Sequence, residues 1–315
     1  MIELPDEIEK VKEKMFVDRE EHEPIDNPNK HIKIGILSTT TNPMINRNNS
    51  QTGTTSMMYE GEARVVVPAQ KWKGIEQSKI VKMARDMDLM PDAYRRNMIE
   101  ANSGLLNPVS FLFGDTVTTN ENGSLRGRIN YDWAYSLEPV KDITRRIQHN
   151  TLDEDGTIKK NDEGNVASSA IFKTKYVIPD VKFIRFVSLE NVTKDMFMMY
   201  VLGLLNTHSY GARKTIIGNN MNNEIVAIGY GDVEGDVSSH SVMKKLWKTE
   251  NKEEIGFKET IRKRMRDAYG EERTITDIDS LLEKVENYNE DISPLKKELE
   301  ETKSWLEEGL PFEGN

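Results

Sequence analysis

From residue 31 to 39 (HIKIGILST) isoleucine returns at every second position. This period of two predicts a strand with one face in a core. Alternating or β-branched runs predict further strands at 63–67, 109–113, 125–137, 173–178, 182–188 and 224–230. Between them the period lengthens. Residues 75–90 repeat at helical spacing (Ile75, Ile80, Val81, Met83, Ala84) until Pro91 stops them. Met198 to Leu205 form the apolar body of a second helix with Thr193 as its N-cap, ending before Ser209-Tyr210-Gly211. Beyond Asp232 the chain turns charged and helical, with helices expected near 238–248, 253–269 and 277–308. Polar stretches punctuate these elements. Residues 1–30 read as a short charged helix running into a proline-bearing linker, 40–62 as a long polar loop, and 150–165 as an exposed hairpin or flap.

The order strand, helix, strands, flap, strand, helix, strand is that of a split βαβ unit, and no repeat of solenoid period interrupts it. The expected class is α+β, with an RRM-like (ferredoxin-like) core carrying large insertions. The division expected is an acidic extension at 1–30, the core at 31–231 with insertions at 40–62, 68–108 and 145–175, and a helical, acidic region at 232–315. The two crossover helices are expected to cover one face of a mostly antiparallel sheet. The other face stays free, as RRM-type sheets leave it for single-stranded RNA.

Charge sharpens this picture. The net charge is −10, but residues 1–30 carry −5 and 232–315 carry −8, so the middle is mildly basic at +3. A basic centre between acidic ends suits a polyanion groove better than the total does. No cysteine is present, which excludes disulfides, thiolate zinc sites and cysteine nucleophiles and fits a reducing cytosol. No apolar run is long enough for a membrane helix, and the acidic N-terminus reads as neither a signal nor a transit peptide.

Three stretches carry candidate chemistry. Around Phe113-Gly114-Asp115, the glycine permits a close backbone approach, and Arg126 and Arg128, two apart on an expected strand, share a face from which both guanidiniums reach successive phosphates. Pairing of those arginines with Glu121 or Asp132 on a plain surface strand is an equal alternative. In Tyr210-Gly211-Ala212-Arg213-Lys214, a ring for stacking sits beside two phosphate-type side chains, although Gly211 alone is ordinary helix punctuation. Lys71-Trp72-Lys73 interleaves basic and aromatic residues at the mouth of a helix, as a strand-binding lip or simply a solvated helix start.

In order along the chain, Phe113-Gly114-Asp115, residues 126–134, His149-Asn150-Thr151 with Glu154-Asp155-Gly156-Thr157, residues 186–190, and Tyr210-Gly211-Ala212-Arg213 followed by residues 225–228 resemble one family. It is the type I-D CRISPR backbone subunit, a member of the Cas-seven superfamily of RRM-like proteins, and the resemblance covers about residues 31–250. It implies a subunit that stacks in identical copies along a CRISPR guide RNA beside other effector-complex subunits, each copy projecting a thumb hairpin, here 145–175. The guide then pairs with target DNA, so base pairing reads sequence and protein holds the backbone. The expected RNA contacts are Arg47, Lys71, Trp72, Lys73, Phe113, Gly114, Arg126, Arg128, Arg145, Arg146, Tyr210, Gly211, Arg213 and Lys214. The expected location is the cytoplasm, without a membrane partner or a cofactor.

Two departures from the family matter. Many members bind zinc through a cysteine cluster before the Phe-Gly stretch. Here residues 98–106 hold no thiol and no histidine, so no metal is expected. Related subunits place a target-cutting aspartate in the first long loop. Here that loop reads Asn46-Arg47-Asn48-Asn49-Ser50, and no carboxylate lies between Thr39 and Tyr59. No catalytic residue is expected, and the chain reads as a binding subunit, not an enzyme. The alternative is an endonuclease acting on guide or target through His149 and scattered aspartates (Asp115, Asp132, Asp232). None of the five histidines has metal-ligand spacing with another, and a lone histidine beside a helix end is more often structural.

Overall fold

In a computed structural model, residues 4–47, 53–90, 94, 106–117, 123–150, 160, 161, 163, 165, 171–249 and 256–310 are described. Two short helices, α1 (Asp6–Glu9) and α2 (Lys12–Met15), lead into the central strand β1 (His31–Thr40). The hairpin β2 (Ser56–Tyr59) and β3 (Glu62–Val67) precedes the long helix α3 (Ala69–Asp86) and the short α4 (Pro108–Phe113). Then come β4 (Asp115–Val117), β5 (Gly123–Leu125), β6 (Ile129–Tyr131), β7 (Ala134–Pro139), α5 (Val140–Ile143), β8 (Thr144–Asn150), β9 (Ile171–Val177) and β10 (Lys182–Glu190). The helix α6 (Lys194–Leu205) and the short α7 (Lys214–Ile217) lead to β11 (Met221–Gly231). The chain closes with α8 (Ser239–Trp247), α9 (Phe257–Tyr269), β12 (Thr274–Ile275), α10 (Asp279–Glu290) and α11 (Ser293–Gly309).

The main sheet runs β12-β11-β1-β10-β7-β3-β2, with β6 beside β10. Its central four strands, β11-β1-β10-β7, are antiparallel throughout, with His31 opposite Glu190 and Thr40 opposite Met221. The fold is therefore mixed α+β on antiparallel sheets. On one face Ile32, Ile34 and Ile36 of β1 pack with Val187, Leu189 and the helices α3, α4 and α6. The helices α10 and α11 pack against α6 on its far side. The opposite face is also covered. Leu37, Ile184, Phe186 and Val226 are buried under Val242, Met243 and Leu246 of α8 and under Ile261 and Met265 of α9. Gly35 admits α9 so closely that a Cβ there would lie 2.6 Å from Ile261. The free sheet face expected for RNA does not exist in this chain. The domain does not end at β11, and the apolar residues of α8 and α9, which follow it, need a core to bury against.

Other differences have local causes. Residues 109–113 form a helix, not a strand. Pro108 fits the first helical turn, and the Asn107 side chain accepts from the backbone amides of Val109 (3.0 Å) and Ser110 (2.9 Å). The expected strand at 125–137 is broken into three pieces, with Arg126, Gly127 and Arg128 between β5 and β6. The helix expected at 277–308 is two, parted near Asp291 and restarted at Ser293 with Pro294 in its first turn. The helix expected at 75–90 starts earlier, so the Lys71-Trp72-Lys73 lip lies inside α3.

The N-terminal stretch is no detached extension, since Leu4, Ile8, Met15 and Phe16 are buried in the main core. Arg19 fastens it. Its guanidinium donates to Asp195 of α6 (3.2 Å), to the Glu298 carboxylate (3.0 Å) and to Thr302 of α11 (2.6 Å). Thr302 donates in turn to Asp195 at 2.7 Å. Where α6 crosses α3, a Cβ on Gly203 would lie 2.3 Å from Ile80. Gly203→Val should therefore cost about 1–3 kcal/mol by overpacking, and adding Ile80→Ala should return part of it. Urea midpoints that fail to move with the first change, or fall further with the second, would contradict this contact.

Candidate nucleic-acid interface

Three loops meet at the Thr40 end of β1. The first follows β1 directly: Met44 exchanges backbone hydrogen bonds with Val177, both 2.9 Å, at the foot of the β8–β9 hairpin. The Ala212 amide donates to the Ile45 carbonyl at 3.0 Å, bringing in the loop after α6. Gly211 has φ +86, and a Cβ there would lie 2.6 Å from that same carbonyl, so only glycine fits this approach. Lys71 completes the lashing. Its ammonium donates to Asn46 (2.6 Å), to Thr55 (3.0 Å) and to the Arg47 carbonyl, and burial lowers its pKa. Asn46 reaches the Val66 carbonyl at 2.8 Å, which ties the loop to β3.

Below these loops lies a buried polar hub. Glu76 of α3 and Arg185 of β10 form a 2.7 Å ion pair with almost no solvent exposure. The Tyr210 hydroxyl donates to Glu76 at 2.9 Å and accepts from Asn223, also at 2.9 Å. Tyr200 donates to the other carboxylate oxygen at 3.2 Å. Arg185 also donates to Ser38 (2.9 Å) and lies 4.2 Å over the Trp72 ring. Burial opposes its charge, yet Glu76 alongside more than offsets this and raises its pKa. Burial, reinforced by the Glu76 charge, lifts both tyrosines well above their ordinary range and keeps them protonated donors.

The hairpin carries the exposed charge. In its register Arg146 faces Lys175 and Gln148 faces Lys173, so three cations share one face of a two-stranded ribbon. Like charges directly opposite on a ribbon are unfavourable, and these three make no ion pair among the described residues. Arg145 points to the other face, opposite Tyr176, and donates to the backbone of Asp142 (3.0 Å) and Thr144 (2.9 Å).

The expected contacts divide sharply against this geometry. Arg47, Gly211, Arg213, Arg145 and Arg146 belong to the loops and hairpin of this end, and Lys71 of α3 reaches it. Arg213 is exposed with φ +55, and Lys214 opens α7, where its side chain lies outside the described residues. Trp72 and Tyr210 are buried at 0% and 2% exposure with edge-on rings 5.0 Å apart, so neither offers a stacking face. Lys71 is occupied internally. Lys73 donates to the Phe113 carbonyl at 2.9 Å, and burial lowers its pKa. Phe113 is itself buried, and the close approach at Gly114 is to the chain's own Gly127, whose amide nitrogen would sit 2.8 Å from a Cβ.

Arg126 and Arg128 share no strand face. Arg126 is exposed, 3.5 Å from Glu190. Arg128 lies 4.1 Å over the Phe111 ring, donates to the Pro24 carbonyl at 2.8 Å, and is lowered to about 10 by burial. The Glu190 amide donates to the Arg128 carbonyl, which puts Arg128 at the His31 end of β1. At the usual strand rise, the ten residues of β1 span roughly 30 Å, so the expected single track through Arg126, Arg128 and Arg213 does not form. Lys173 and Lys175, which are not among the expected contacts, carried a readable signal. They lie two apart on an expected strand, the same argument applied to Arg126 and Arg128.

Among the described residues, no group of three or more histidine, aspartate or glutamate side chains is placed to hold a metal ion, as the nuclease alternative would want. Asp115 accepts from Tyr94 (2.5 Å) and Ser110 (3.1 Å), and Asp132 from the Ser239 amide of α8 (2.8 Å). The side chain of His149 lies outside the described residues.

A family model described as "Csc2 Crispr" matches residues 40–308. Among solved structures, the crystal structure of Thermofilum pendens Csc2 is 15% identical, covers 99% of this chain and 100% of its own, and superposes with a TM-score of 0.61. A chain of a "CRISPR RNA-guided surveillance complex" is 11% identical, covering 75% of this chain and 84% of its own with a TM-score of 0.47. A chain of such a complex in a pre-nicking state is 13% identical, covering 75% and 85% with a TM-score of 0.46. No curated protein matches this chain.

Proposed function

The chain belongs to the Csc2 CRISPR family, and on that basis we propose that it is a backbone subunit of a type I-D interference complex, holding the guide RNA in repeated copies. The guide in turn presents target DNA for pairing, beside the other effector subunits and in the cytoplasm. The observation that carries this reading is the hairpin face of Arg146, Lys173 and Lys175, whose mutual repulsion a phosphate backbone relieves. The convergent loops support it. They place Arg47 and Arg213 at the same end of the sheet, on backbone fixed by Gly211, Ala212 and Lys71. We also read the core as RRM-like. The order β11-β1-β10-β7, with α3 and α6 as crossovers on one face, supports that topology. In this reading RNA lies along the strand-end loops and hairpin, because α8 and α9 occupy the pleated surface.

The purified chain should bind unstructured single-stranded RNA with little sequence preference, losing about 0.7 log units of affinity per log unit of salt for each phosphate contacted. Replacing Arg146, Lys173 and Lys175 together by alanine should flatten that slope by about 2 and weaken binding roughly 10- to 100-fold at moderate salt. Fluorescence anisotropy over a salt series reads both quantities. An unchanged slope and affinity in the triple variant would remove the hairpin from the interface.

A further inference from the structure

The acidity expected of the region after Asp232 is not uniform. The structure sorts it onto opposite sides of the molecule. Helix α8 with its cap Lys248 holds three lysines and no carboxylate, and α9 holds five basic residues against Glu259 and Asp267. Several of these cations are already partnered. Lys248 lies 3.6 Å from Glu60, Lys258 2.7 Å from Glu224, and Arg264 3.1 Å from Asp267. Arg266 pairs with Glu259 and Glu271. The exposed Lys244, Lys245 and Lys263 and the half-buried Arg262 make no ion pair among the described residues. They form the outer side of the layer that covers one sheet face.

On the far side, beyond α6, α10 turns Leu281, Val285 and Tyr288 inward. Asp279, Glu283, Glu286 and Glu290 follow one another at spacings of four, three and four residues along its outer side, and all four are exposed. None makes an ion pair among the described residues. At helical rise this stripe is about 17 Å long.

We propose that the α8–α9 surface is the docking face for a second copy of this chain, and that the acidic stripe of that copy's α10 is what it receives. The two surfaces differ in sign and lie on opposite outer layers. A contact between them is therefore heterologous: it leaves one copy with a free acidic stripe and the other with a free basic face, so further copies add head to tail and the pair is not a self-complementary dimer. Exposed ion pairs are individually weak and salt-screened, so the contact is suited to copies already held side by side on a polymer, where the effective concentration is high. The proposal rests on the reading of the chain as a repeated RNA-holding subunit, and it adds which surfaces meet.

A charge swap in the full-length protein tests it. One variant carries Lys244→Glu, Lys245→Glu and Lys263→Glu; the other carries Glu283→Lys, Glu286→Lys and Glu290→Lys. In low-salt sedimentation velocity at tens of micromolar, the unaltered protein should associate reversibly and dissociate in 0.5 M salt (both conditions order-of-magnitude choices). Each variant alone should lose that association at least tenfold, and an equimolar mixture should recover it, because every junction between unlike variants pairs opposite charges. On RNA long enough for several copies, cooperativity should follow the same pattern, while binding to an RNA of single-copy length stays within twofold. The proposal is overturned if either variant associates like the unaltered protein, if the mixture stays apart, or if the unaltered protein neither associates nor binds long RNA cooperatively. Swap-restored association without any RNA binding would keep this contact and sink the RNA reading instead.

Discussion

Glu76→Gln is expected to destabilise the protein by about 3–5 kcal/mol, although it preserves shape and one hydrogen-bonding oxygen. Arg185 would then remain charged in a site with 1% exposure, with Ser38, Asn223 and the Trp72 ring as its remaining neighbours. Such a loss lowers the melting temperature by roughly 5–8 °C in a chain of this size. The Tyr210 hydroxyl loses its anionic acceptor in the same change, so loosening should spread to the loop that Gly211 hooks onto Ile45. Removing both charges, as Glu76→Leu with Arg185→Met, should recover much of the loss, because the desolvation of each charge disappears with it. A single variant that melts within a degree of the original would show that the pair is dispensable. A double variant worse than the sum of its parts would show that shape, not charge, is what the hub supplies.

Arg19→Met should cost a comparable amount, about 3–5 kcal/mol, from a residue that looks like surface in the sequence. It leaves Asp195, with no exposure, and Glu298, with 4%, without their guanidinium. It also frees the N-terminal segment from α6 and α11 together, so limited proteolysis should cut that segment early. Asp195→Asn should cost less than half as much, since it removes the buried charge itself. The two also differ in pH response. Burial raises the Asp195 carboxyl above its ordinary 3.8 despite the opposing pull of Arg19. A raised folded-state value favours the folded chain as the pH falls from neutrality towards 3.8. The unaltered protein should therefore lose less stability than Asp195→Asn on acidification through that window. Parallel curves of denaturation midpoint against pH would refute the assignment.

How much of this could be read from the chain depends on the range of each determinant. The alternation at Ile32, Ile34 and Ile36, the Thr193 cap and the apolar body of α6 are local signals. The corresponding strand and helix stand within a residue or two of expectation. The short helix at Pro108–Phe113 was legible too, had the proline and the capping Asn107 been weighed above the four apolar residues among 109–113. What could not be read was anything set by a distant partner. Glu76 sits among polar neighbours on α3, and only the fold turns it towards Arg185, 109 residues away. Tyr210 and Trp72 look like stacking rings because their sequence neighbours are basic, yet they are buried by β10 and α3. The same blindness merged α8 with α10 into one acidic tail, because a running total of charge carries no information about which side of a sheet a helix will cover.

The hook between Gly211 and Ile45 has a consequence for how such a protein can vary. Two segments far apart in the chain share one contact that tolerates no side chain, so the grip at the sheet's end behaves as a single part. Changes in loop length or charge outside that contact can retune what is held while the scaffold stays as it is. A change at the contact itself would release both segments together, with no graded intermediate between a working grip and an open one.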